Sequence, residues 1–90
     1  MSVADSITTK LTAAFRPQRL QVIDESHHHA GHAGARPGGE THFAVVIVAD
    51  AFAGKSRVER QRLIYAALAE ELAGPVHALS LKALTSAEAG

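Results

Sequence analysis

The apolar positions follow two periods. Ile7, Leu11, Ala14 and Phe15 recur at helical spacing from Ala4 onward, and Pro17 pushes the residue before it out of helical geometry, which predicts a first helix ending there. Leu20 to Asp24 then reads as a short strand, with Leu20 and Val22 on one face by the two-residue repeat. Thr41 to Ala49 is the clearest strand, because Val45, Val46, Ile47 and Val48 are all β-branched. Asp50 to Lys55, with Phe52 and Gly54, turns the chain. Ser56 and Glu59 form an S-x-x-E capping box, in which the serine oxygen accepts from an early helix amide while the glutamate reaches back to the cap. A second helix starts there, lines one side with Val58, Tyr65, Leu68 and Leu72, and stops at Gly74-Pro75. In the last element, Val76 to Leu84, His77, Leu79 and Leu81 point one way and Ala78, Ser80 and Lys82 the other. Residues after Thr85 read as a frayed tail.

The order helix, strand, strand, helix, strand predicts an α+β domain over residues 1–90, with its core at about 4–84. Both helices are expected on one face of a three-stranded mixed sheet, and the crossover through the second helix is expected to be right-handed. Between the first two strands the pattern breaks. Ser26 to Glu40 holds His27, His28, His29 and His32 among glycine and alanine, with no apolar period, and reads as a long, flexible loop. Loops of this length between neighbouring strands are usually functional or disordered.

Composition narrows the chemistry. Ninety residues with 47% hydrophobic and 4% aromatic content allow one modest aliphatic core and no deep enclosed cavity. Nine basic residues balance nine acidic ones, which argues against a protein whose main task is to hold phosphate backbone. There is no cysteine, so any metal chemistry runs through histidine. No apolar run approaches a secretory signal or a membrane span, so a cytoplasmic protein is expected.

Several stretches, in order, resemble the BolA family: Asp24-Glu25-Ser26, Glu40-Thr41-His42-Phe43, Phe52-Ala53-Gly54, Leu68-Ala69-Glu70-Glu71-Leu72 and Val76-His77-Ala78-Leu79. The resemblance implies an αββαβ fold similar to a type II KH domain. It also implies an adaptor in iron–sulfur cluster maturation, trafficking or iron sensing, which shares a [2Fe–2S] cluster with a monothiol glutaredoxin and its glutathione. The ligands so implied are His77, from the Val-His-Ala-Leu stretch, and one residue of the loop, His29, with His32 as its competitor. Alone, such a protein is expected to be a colourless monomer. This chain departs from the family in a longer loop with four histidines, and in Arg60-Gln61-Arg62 where Arg-His-Arg is common.

The residues alone leave alternatives open. His77 shares parity with Leu79 and Leu81, which equally fits a core histidine satisfied by a backbone carbonyl. The His27 to His32 cluster equally fits a solvated tract that takes up stray zinc or nickel. His42, at a strand start, reads as a cross-strand packing residue. Lys55, Arg57, Arg60 and Arg62 form a local basic face that suits nucleic acid, and members of the family have been regarded as transcription regulators in stress response and morphology. Ser26 beside Glu25 and His27 carries no oxyanion motif, and adjacent residues rarely hold triad geometry, so no enzyme is expected.

Overall fold

The structure, a computed structural model, describes residues 2–25 and 42–89. Helix α1, Val3–Phe15, opens on a capping box: Asp5 N–H donates to Ser2 Oγ at 3.0 Å and the Asp5 carboxylate accepts from the Ser2 amide. It ends at Arg16, which sits before Pro17 in the left-handed region at φ 47° and donates its N–H to Thr12 O at 3.0 Å. Ile7 and Leu11 form its buried stripe.

The sheet order is β1-β2-β3. Strand β1, Arg19–Asp24, pairs antiparallel with β2, His42–Val48, setting Leu20 opposite Ile47 and Val22 opposite Val45. Strand β3, Ala78–Leu84, runs parallel to β2, setting Phe43 opposite Leu79 and Val45 opposite Leu81. Two-residue periodicity then puts Leu20, Val22, Phe43, Val45, Ile47, Leu79 and Leu81 on one face. The helices cover that face, with Ile7, Leu11, Ile64 and Leu68 joining its core. This is the mixed sheet with helices on one side that the sequence predicts. Burial of each large aliphatic there contributes about 1.5–3 kcal/mol. Beyond β2 a 3₁₀ turn, Asp50–Phe52, drives Phe52 into the core, its ring centroid 5.0 Å from that of Phe15. Gly54 follows at φ 76°, which favours glycine.

The second helical region departs from its sequence reading. It is two pieces, α2, Arg57–Ala67, and α3, Ala69–Ala73, separated by Leu68 at φ −106°, ψ 21°. The helix does start at the expected capping box, with Glu59 N–H on Ser56 Oγ at 3.1 Å and the Glu59 carboxylate on the Ser56 amide at 2.8 Å. Its buried stripe, however, is Ile64 and Leu68, while Val58 is 54% and Tyr65 37% exposed. The reason is rotation: Tyr65 lies one residue, about 100°, around the axis from Ile64.

The end of the chain also differs from a frayed tail. Residues Ser86–Ala89 form α4, a single turn. Glu88 accepts from Thr85 N–H at 2.8 Å and its own N–H donates to Thr85 Oγ1 at 3.3 Å, the same reciprocal cap that opens α1 and α2. No helix among the described residues is long and apolar enough to cross a membrane.

Candidate functional site

The C-terminal end of β1 meets the N-terminal ends of β2 and β3 at one rim of the sheet, because the first pair is antiparallel and the second parallel. Three facts define that rim. Glu25 N–H donates to His42 O at 2.7 Å, joining the two residues that flank segment 26–41. His42 stands opposite Ala78, so His77 is the residue that leads into the rim. The rings of His42 and His77 lie nearly parallel, at 21°, with centroids 6.5 Å apart.

His77 is exposed and precedes the strand rather than belonging to it. Parity with Leu79 and Leu81 does not carry it into the core, because β3 begins only at Ala78. The reading of His77 as a core histidine is thereby corrected. Its position is nonetheless held: Val76 is buried and donates its N–H to Glu71 O at 3.0 Å. Glu71 in turn receives Lys10 Nζ at 3.0 Å on Oε1 and 2.8 Å on Oε2, tying α3 to α1. The hydrogen bond to Glu71 is the main reason the Lys10 amine is held above its ordinary pKa.

His29 and His32 lie outside the described residues. Among the described residues no three His, Asp or Glu side chains converge on one point. What the rim offers is two imidazoles, one exposed and one half-buried, nitrogen donors without thiolate charge. His42, which the sequence reads as a cross-strand packing residue, lies with its ring against that of His77. Only the parallel pairing of β2 with β3 brings it beside His77, and no local pattern signals that pairing.

The basic residues sort differently. Lys55, Arg57 and Arg60 border a groove of about 810 Å³ between α2 and β3, whereas Arg62 is not part of its lining. Arg60 is turned inward. Its Nε donates to Lys55 O at 3.0 Å, Nη1 to Ala83 O at 3.0 Å, and Nη1 and Nη2 to the two Glu88 oxygens at 2.6 and 3.2 Å. That contact with Arg60 is the main cause of a Glu88 carboxyl lowered to about 2, with the Thr85 amide second.

Comparison with known proteins decides the family, for a family model described as BolA-like protein matches residues 11–88. This chain belongs to the BolA family. The BolA-like protein 1 of Pongo abelii is 52% identical over 88 residues, covering 98% of this chain and 61% of that protein. The DNA-binding transcriptional regulator BolA of Escherichia coli (strain K12) is 47% identical over 88 residues, covering 98% of this chain and 80% of that protein. Among solved structures, the BolA domain of SufE1 from Arabidopsis thaliana matches with a TM-score of 0.86 and 49% identity, over 98% of this chain and 96% of that one. The chain spans only about 60% of the length of the BolA-like protein 1 relatives it matches. In this BolA-family chain, His42 and His77 stand at one rim of the sheet and Lys55, Arg57 and Arg60 border a groove along the edge of β3.

Proposed function

We propose that this BolA-like chain is a non-enzymatic, cytoplasmic adaptor that holds a [2Fe–2S] cluster jointly with a monothiol glutaredoxin and its glutathione. The cluster is cargo in maturation, trafficking or iron sensing. His77 is the fixed ligand, and a histidine of 26–41, His29 or His32, is the second. The donor set fits such a group: neutral imidazoles without cysteine require thiolates from another molecule, and imidazole in place of thiolate lowers cluster charge and raises its potential. The observation that carries the reading is the exposed His77 ring at the rim where Glu25 and His42 flank segment 26–41. Protonation of the imidazoles releases such a cluster, which suits a carrier.

The test is reconstitution with a monothiol glutaredoxin, glutathione, iron and sulfide, read by visible absorption and circular dichroism. The wild-type chain is expected to alter the cluster's spectrum, and His77→Ala to abolish that change. His29→Ala, His32→Ala and His42→Ala, compared side by side, identify the second ligand. An unchanged spectrum with His77→Ala would remove this residue from the ligand set.

A second reading, a KH-like DNA-binding regulator, is favoured by one observation, the groove bordered by Lys55 and Arg57. The Escherichia coli relative, named as a DNA-binding transcriptional regulator, points the same way. Arg60 contributes less to this reading than its charge implies, since its guanidinium is already bound by Glu88 and two backbone carbonyls.

A further inference from the structure

Strand β3 has β2 on one side, and among the described residues no strand pairs with its other edge. Ala49 N–H donates to Leu84 O at 2.9 Å, so Leu84 faces β2, and alternation turns the backbone N–H and C=O of Leu79, Leu81 and Ala83 outward. Arg60 takes the Ala83 carbonyl and closes that end. Leu79 and Leu81 therefore aim two donors and two acceptors into the groove between β3 and α2. Arg60 sits at Ala83, so Tyr65, about 7.5 Å further along the helix axis, stands beside the Leu79–Leu81 stretch. Lys55, Arg57 and Lys82 also border the groove, and among the described residues none of the three makes an ion pair.

We propose that this edge takes an extended acidic peptide segment of a partner protein as a fourth strand. The segment bonds through its backbone to Leu79 and Leu81, lays an apolar side chain against Tyr65, and sets carboxylates toward Lys55, Arg57 and Lys82. A second copy of β3 is a poor occupant, since it brings the same lysine and the same basic wall against their like. Single-stranded nucleic acid is also a poorer match. The alternating outward N–H and C=O groups of Leu79 and Leu81 are matched in spacing by a peptide backbone, whereas a phosphate backbone carries acceptors alone and offers N–H donors only through its bases.

The probe is a capped synthetic peptide of alternating Glu and Val, about eight residues long, titrated into the ¹⁵N-labelled chain. The amides of Leu79 and Leu81 are expected to shift and their exchange to slow. Reversing both Lys55→Glu and Arg57→Glu is expected to weaken binding on the order of tenfold. Methylating alternate peptide nitrogens is expected to abolish it. Leu81→Pro removes an outward N–H while leaving the β2 ladder intact, and is expected to do the same. Should circular dichroism show that variant unfolded, the charge reversal and the methylated peptide decide. Equal binding of the methylated peptide, or indifference to charge reversal, overturns the proposal. So does an oligo-dT of equal length that moves the same amides at lower concentration, which assigns the groove to nucleic acid.

Discussion

Arg57 and Arg60 show how the same residue type takes different roles in one sequence stretch. Arg57 stays exposed, while Arg60, three residues on, has a side chain only 11% exposed and fastens α4 to the end of β3. The lowered Glu88 carboxyl gives this clasp a pH signature. A carboxyl depressed in the folded state stabilises it fully above its unfolded pKa, near 4.5, and loses that contribution as pH falls toward about 2. NMR titration of the Glu88 carboxyl is expected to show a midpoint near 2; one near 4.5 would mean that the clasp does not form in solution. Glu88 was legible in principle, because Thr85-x-x-Glu88 repeats the spacing of Ser56-x-x-Glu59. A short alanine-rich end masks the signal. The place of His77 was legible through its motif, whereas the proximity of His42 was not, since it depends on the register between β2 and β3, which brings together residues 35 positions apart.

At the scale of elements, the strands were readable because their signal is local, β-branched runs and two-residue alternation, although β3 starts at Ala78, two residues later than its alternation suggests. The second helix was harder. Its exposed face carries Val58, Leu63 and Tyr65, so apolar content surrounds the axis and the buried stripe is not singled out by composition. The interruption at Leu68 has no glycine or proline to announce it. The structure makes a clear prediction here. Ile64→Ala, at a fully buried site, is expected to cost about 2–5 kcal/mol in denaturant unfolding. Val58→Ala, on the open side, is expected to stay within roughly 0.5 kcal/mol. Equal losses would place the core stripe on the face that periodicity alone selects.

For the whole molecule, the balance of charge weighs on what it binds. Net charge is zero, and the one groove-facing guanidinium nearest β3 is already paired. Duplex DNA is therefore expected to bind only in the nonspecific range, roughly 10⁻⁴–10⁻⁶ M at physiological salt. Much tighter, sequence-dependent binding, with a salt slope reduced by about one on Arg57→Gln, would favour the regulator reading instead. The arrangement of strands and helices was readable from element order, but the convergence of rim and groove on β3 was not, because sequence does not state which edge stays open.

The ion pair between Lys10 and Glu71 reaches further than its two side chains. Glu71 also receives the Val76 amide, so a lysine on the first helix secures the backbone one residue ahead of His77. The N-terminal helix is in that sense a mooring for the backbone that leads into β3. Acetylating Lys10 would remove that tether from the Glu71 carboxylate and leave the approach to His77 held by the Val76–Glu71 backbone bond.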